Sequence, residues 1–321
     1  MIEYILFVLG IFLLIKGADY LVEGSSSLAK KLGVPTLVIG LTIVAFGTSI
    51  PELVVNVLAS IKGSGEVAFG NIIGSSMANL LLILGIAAII TNLKIQRSTI
   101  WKEIPFSFLA VLILLIFSSV FLLDNLKINS LLRTEGIILL FFFALFIYYV
   151  VGLVKKNKEN LEDKKIEVIA HPYWIISLMI LGGLVGLYFG GKWTVDGAVS
   201  IARTFGLSEF LISATIIAIG TSLPELFTTI VATRKKDIDL AVGNIVGSNI
   251  FNVFWILGVT SVIKPIPFPN FISVDLLILL FATLLLFIFM FVGKKHELDR
   301  WQGILFLILY ISYLAFLIVR G

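Results

Sequence analysis

The sequence contains no cysteine, only two histidines, and just 14% charged residues. Without cysteine, disulfides, zinc ribbons, iron–sulfur clusters and thiol catalysis are excluded together, and any bound metal must use oxygen or nitrogen donors. His171 and His296 both lie in polar connecting segments, where they read as solvated loop residues. Long polar stretches are missing too. The longest, residues 155–172, is too short to bury a core, so a separate soluble catalytic domain is excluded.

Apolar residues fill the chain instead. Of 321 residues 59% are hydrophobic, and the mean hydropathy is +1.10, whereas soluble domains are about 45–50% apolar and about 25% charged. Ten apolar runs can be marked, at about 2–29, 36–61, 67–91, 103–123, 133–154, 173–202, 209–233, 240–263, 271–292 and 300–319. Each is long enough to cross a hydrocarbon core of about 30 Å as a helix. The expected fold class is therefore all-α integral membrane, with ten transmembrane helices and the lipid bilayer as solvent. The first run carries Lys16, Asp19 and Glu23 and lacks a small-residue cleavage pattern, so it reads as a retained helix, with the mature chain starting near Met1. Trp101, Trp174 and Trp301 stand at span boundaries and read as interfacial anchors.

The net charge of +4 calls for no nucleic-acid partner once the basic residues are placed. Loops after the odd-numbered spans hold about 16 Lys and Arg, and the opposite side holds about 6. The positive-inside rule then sets both termini outside a cell membrane, with residues 155–172 as a cytoplasmic linker.

Displacing the sequence by 173 residues aligns Gly17–Ile86 with Gly190–Val259 without a gap, with about 28 of 70 positions identical. Hydrophobic bias would match Leu with Ile; here more than half of the shared residues are Gly, Ser, Thr, Asn, Pro and Glu. The chain is an internal duplication. Residues 1–154 form a first five-helix repeat with its motif at 40–85, and residues 173–321 a second with its motif at 213–258. Five spans are an odd number, so the second copy enters the bilayer from the other side. Inverted-topology repeats are a recurring plan of secondary transporters, with the substrate site at the repeat interface near the midplane.

Each copy places a polar hexapeptide in the middle of an apolar span: Gly47-Thr48-Ser49-Ile50-Pro51-Glu52 and Gly220-Thr221-Ser222-Leu223-Pro224-Glu225. A carboxylate at mid-membrane costs about 2.5–3.5 kcal/mol on insertion scales. No Lys or Arg lies at matching depth in spans two, three, seven or eight, so the obvious counter-charge is a transported ion. Pro51 and Pro224 lack an N–H and disrupt the helical ladder, and a kink there turns the Ala45 and Ala218 carbonyls toward a cavity. The following spans add Ser75 with Asn79 and Ser248 with Asn252, each pair four apart on one helix face, with Asn71 and Asn244 a turn earlier. Carboxylate, hydroxyl, carboxamide and carbonyl oxygens form a hard donor set suited to Ca2+ and Na+.

Single Ser, Thr, Gly or Asn residues in membrane helices commonly serve packing, and two protonated glutamates bonded to each other are an alternative to an ion site. Asp19, Glu23 and Asp196 lie toward span ends and read as solvated structural acids. Of three other functions, two stay open on the residues alone and the third lacks its motif. A proton-coupled Ca2+ exchanger would cycle H+ on Glu52 or Glu225; a cation channel would need no counter-ion; an intramembrane hydrolase would need a His-Glu-x-x-His motif or paired catalytic aspartates, which are absent.

The paired Gly-Thr-Ser-x-Pro-Glu and Gly-Asn-x-x-Gly-Ser-x-x-x-Asn motifs resemble the alpha repeats of Na+/Ca2+ exchangers in the cation/Ca2+ antiporter superfamily. The resemblance covers essentially the whole chain, including the short central loop and the Arg300-Trp301-Gln302-Gly303 start of the last span. It implies a prokaryotic-type antiporter without a large regulatory loop, in which spans one and six slide past the other eight. It also implies ion sites built from Glu52, Glu225, Thr48, Thr221, Ser49, Ser222, Ser75, Ser248, Asn79 and Asn252, with the Ala45 and Ala218 carbonyls. The family expectation is electrogenic exchange of about three Na+ per Ca2+. K+-dependent relatives carry Asp at the position of Asn252, so K+ co-transport is not expected here. No cofactor or enzymatic activity is expected, and a monomer is compatible with the layout.

Overall fold

A computed structural model of the chain describes residues 2–123, 129–157, 171–204 and 218–320. Among these, eight helices are long and apolar enough to cross a membrane, and nine when one bent pair is counted as a single span. Of the expected span at 209–233, the described residues cover the part from Ala218 onward. Residues 158–170 of the expected linker lie outside the described residues.

Helix α1 (Ile2–Leu32) is followed by a broken span: α2 (Thr36–Ile39), a π-helical turn (Gly40–Val44), α3 (Ala45–Thr48) and α4 (Ile50–Lys62). The two halves meet at 45°. The break falls at Ser49, whose φ of −88° and ψ of 7° leave the helical region, and Pro51 in the first turn of α4 has no N–H to continue the ladder. Next come α5 (Gly65–Met77), a π-helical stretch (Ala78–Ile83) and α6 (Leu84–Ile90). A π-helical turn (Thr99–Glu103) leads into α7 (Ile104–Leu123), which is followed by α8 (Arg133–Asn157).

The second half repeats this grammar. Helix α9 (Tyr173–Thr204) stands for α1, and α10 (Ala218–Gly220) and α11 (Leu223–Arg234) flank a break at Ser222, with φ −88° and ψ 6°. Helix α12 (Ile238–Ile250), a π-helical stretch (Phe251–Leu257) and α13 (Gly258–Ile263) match the α5–α6 span, and α14 (Ile272–Phe289) and α15 (Arg300–Arg320) complete the chain. Even the caps correspond. Gly63 ends α4 in the left-handed region, with Ser64 N–H donating to Ala59 O; Lys236 adopts the same φ sign after α11, with Asp237 N–H donating to Ala232 O. Two short antiparallel pairings, Leu93–Lys94 with Glu297–Leu298 and Ser130–Leu131 with Ile266–Pro267, staple connecting segments together.

The α5–α6 and α12–α13 spans are the most enclosed, at 78% and 83% buried. They form the centre of the main apolar core, in which Phe69, Ile72, Met77, Ile245, Phe254 and Leu257 are buried. The outer helices turn Val8, Ile137, Leu178 and Ile311 outward, the apolar belt that a lipid solvent requires. Asp275 and Arg320 pair bidentately at 2.8 and 3.0 Å.

Helices α1 and α9 pack along their length at backbone distance. A Cβ built on Gly17 would stand 2.8 Å from Gly183 O, and one on Gly190 would stand 2.8 Å from Gly10 O. Small residues in contact let membrane helices gain dispersion energy without a hydrophobic driving force. Gly17→Val should therefore cost about 1–3 kcal/mol through overpacking and lower the thermal midpoint in detergent. Gly182→Val on α9, with nothing within 4 Å of its Cβ position, should leave it unchanged. Equal midpoints would contradict this packing.

Candidate functional site

The breaks at Ser49 and Ser222 put Glu52 and Glu225 in the first turns of α4 and α11, both fully buried. Ser49 Oγ donates to Glu225 Oε1 at 3.1 Å, linking the first hexapeptide to the carboxylate of the second. Each carboxylate also receives a serine from the adjacent span of its own copy: Ser75 Oγ lies 3.4 Å from Glu52 Oε1 and Ser248 Oγ 3.5 Å from Glu225 Oε1.

Threonines bridge between copies in matching fashion. Thr48 Oγ1 donates to Asn244 Oδ1 and Thr221 Oγ1 to Asn71 Oδ1, both at 3.2 Å. The same asparagines use their amides on the helix breaks: Asn71 Nδ2 donates to Glu52 O at 3.4 Å and Asn244 Nδ2 to Glu225 O at 3.5 Å. Asn79 and Asn252 lie in the π-helical stretches, a geometry frequent at functional sites. Asn79 Nδ2 donates to Asn249 Oδ1 at 3.0 Å, and Asn252 Nδ2 reaches Ser75 Oγ at 3.2 Å and Ser76 Oγ at 3.3 Å.

Hydrogen bonds thus group Glu52 with Ser75 and Asn252, and through Asn71 with Thr221, and group Glu225 with Ser49 and Ser248, and through Asn244 with Thr48. Three points differ in detail. Ser222 Oγ makes no hydrogen bond, although its counterpart Ser49 does. The Ala45 carbonyl accepts from Ser49 N–H at 3.1 Å and lies 3.4 Å from Thr48 Oγ1. Ala218 begins α10. Sequence reasoning placed Asn71 and Asn244 a turn from the serine–asparagine pairs without counting them as ligands, and passed over the neighbouring Ser76 and Asn249. It also missed Glu103, a third fully buried carboxylate, bonded by the Tyr149 hydroxyl away from this centre.

Glu52 Oε2, Glu225 Oε2, Ser222 Oγ, Asn79 Oδ1 and Asn252 Oδ1 are all buried without a hydrogen-bond partner. Among the described residues neither glutamate has a cationic partner, and no group of three His, Cys, Asp or Glu side chains surrounds a point. Every unpartnered atom is an oxygen that can accept. Such a cluster is costly to bury empty-handed and chemically fits a hard cation.

A cavity of about 220 Å³ adjoins this centre. Pro51, Pro224, Val55 and Thr221 line it, together with Lys192 and Asp196 of α9.

The sodium/calcium exchanger protein profile matches residues 2–152 and 175–319. The chain belongs to that family. This exchanger is 37% identical over 319 residues to the putative antiporter CaxA of Alkalimonas amylolytica, covering 98% of each chain. It is 30% identical to the sodium/calcium exchanger MaX1 of Methanosarcina acetivorans, again over 98% of each chain. A solved structure of the sodium-calcium exchanger NCX_Mj soaked with 10 mM Na+ and zero Ca2+ matches with a TM-score of 0.81 at 33% identity, over 98% of each chain. The exchanger is accordingly a multi-pass membrane antiporter of the cation/Ca2+ class.

The bridges between copies give a direct test of the site's architecture. Thr48→Val or Thr221→Val keeps the side-chain shape but strands an asparagine oxygen, which should cost about 1–3 kcal/mol each. Unfolding midpoints of the two variants should fall together; a wild-type midpoint in either would remove that bridge.

Proposed function

We propose that this exchanger moves Na+ against Ca2+ by alternating access, with both ions competing for the oxygen cluster around Glu52 and Glu225. The observation that carries the reading is the set of five buried oxygens without partners, two of them carboxylate, with no cationic partner for either glutamate among the described residues. The name borne by MaX1 and the solved NCX_Mj structures supports the same pair of ions.

In this reading the chain has ten spans in two inverted repeats. The matching breaks at Ser49 and Ser222 and the reciprocal Thr48–Asn244 and Thr221–Asn71 bonds support it. Glu52, Glu225, Thr48, Thr221, Ser49, Ser222, Ser75, Ser248, Asn79 and Asn252, with the Ala45 and Ala218 carbonyls, supply the ligands. The excess of Lys and Arg in loops after the odd-numbered spans orients both termini outward and the central linker toward the cytoplasm.

Charge decides whether exchange at the family's expected ratio is electrogenic. Two carboxylates neutralise one Ca2+ or two Na+, so a third Na+ leaves the loaded centre at about +1. Exchange of about three Na+ per Ca2+ then carries net charge and is driven by about 2.3 kcal/mol per 100 mV. An inward Na+ gradient expels Ca2+.

In proteoliposomes, an outward Na+ gradient should drive radioactive calcium uptake that an inside-positive potential accelerates and that needs no K+. Uptake driven by a pH gradient without Na+ would establish proton coupling instead, and uptake requiring no trans ion would establish a channel. Glu52→Gln or Glu225→Gln should abolish Na+-dependent uptake; near-normal flux in either variant would overturn the site assignment.

A further inference from the structure

The cavity beside the ion centre is lined by residues that have repeat mates, and the duplication identifies its counterpart region. Displacement by 173 residues carries the cavity residues Val55, Thr221 and Val195 onto Thr228, Thr48 and Val22. The first three are partly exposed; the second three are 0%, 1% and 0% exposed. Thr228 is a particular oddity, because its Oγ1 is buried without any hydrogen-bond partner. Water entering the region would supply the missing partner.

Charged residues stand at the rims of both regions, and they are not equivalent. Beside the closed region, Lys235 Nζ sits 3.4 Å from Asp19 Oδ1 and 3.9 Å from Glu23 Oε2, and also donates to Asp19 O at 3.2 Å. His171 Nε2 lies 3.1 Å from Glu23 Oε1 on the opposite flank. Asp237 accepts from Ser26 at 2.8 Å and from Thr36 at 2.7 Å, tying α1 to the α11–α12 turn. The same displacement maps Lys235, Glu23 and Asp19 onto Lys62, Asp196 and Lys192. Asp196 and Lys192 line the open cavity, and among the described residues neither these two nor Lys62 has an ion-pair partner.

We propose that Thr228, Val22 and Thr48 line the closed half of the ion path, that Lys235 between Asp19 and Glu23 is the gate over it, and that Lys62 with Asp196 is the reciprocal gate formed when the open half shuts. The two gates differ in strength by design of their charges. Lys235 meets two carboxylates, whereas Lys62 meets one carboxylate and the like charge of Lys192. The resting exchanger therefore favours the state seen here, with the Asp196 side open. Because the gate side chains are nearly 40% exposed, water screens each pair and the bias is modest.

The inference rests on the inverted-repeat reading, and a labelling experiment separates its fate from that of the ion reading. The absence of native cysteine allows single reporters, Val55→Cys or Thr228→Cys, to be modified by a water-soluble maleimide on purified protein. Sidedness and ion flux do not enter. Val55→Cys should react at least about tenfold faster than Thr228→Cys, as partial exposure against complete burial requires. Lys235→Gln, which weakens one gate, and Lys192→Asp, which strengthens the other, should each raise the Thr228→Cys rate about threefold without raising that of Val55→Cys. Val22→Cys serves as a second buried reporter should Thr228→Cys not fold. Equal rates at the two reporters in the parent, no response to either charge change, or a joint rise of both reporters would each overturn the proposal. Loss of Na+-dependent flux with this labelling pattern intact would count against the ion reading alone.

Discussion

Two carboxylates held in the middle of a lipid-embedded protein, with no cationic partner among the described residues, are the constraint from which the rest of this structure follows. Glu52 and Glu225 each have one oxygen held by serine hydroxyls and one left without a donor. An internal lysine or arginine would have neutralised them permanently. Its absence leaves the charge balance to something that arrives and leaves, and that is the physical content of a transport site.

Local backbone chemistry makes such a centre possible. Proline at the second position of each half-helix and a serine outside the helical region place the glutamates at helix starts, where the macrodipole favours negative charge. Asparagines from the neighbouring spans then brace the breaks by bonding the glutamate carbonyls. Around this braced centre, the α1–α9 pair is built differently: it holds together through glycine contacts, and joins the α11–α12 turn through Lys235 and Asp237. A polar centre and a separately packed helix pair are the parts that the proposed alternating access would use.

Much of this was legible in the sequence because it resides in local chemistry. The apolar runs, the two hexapeptides and the 173-residue displacement are carried by residue identity, and the hard-oxygen character of the site follows from the absence of sulfur and imidazole there. What could not be read depends on which side chains meet across the bundle. Ser49 bonds to the glutamate of the other copy, not its own. His171, expected as a solvated loop residue, instead contacts Glu23 at 3.1 Å with its side chain 22% exposed, because the start of α9 lies against α1. The π-helical stretches holding Asn79 and Asn252 leave no trace in the hydrophobic period, since one widened turn shifts a helical pattern too little to register. Glu103 escaped notice because it stands at the start of a span, where charge is ordinarily solvated; Tyr149 buries and satisfies it.

The central claim is that the buried carboxylate pair is a single site shared by the two ions. Equilibrium binding of radioactive calcium to the purified exchanger, measured as Na+ is raised at constant ionic strength, tests it most directly. The account predicts one saturable Ca2+ per chain that Na+ displaces completely, with a steeper than first-power dependence on Na+ concentration. Calcium retained undiminished in saturating Na+ would mean that the two ions do not share Glu52 and Glu225, and would contradict the account.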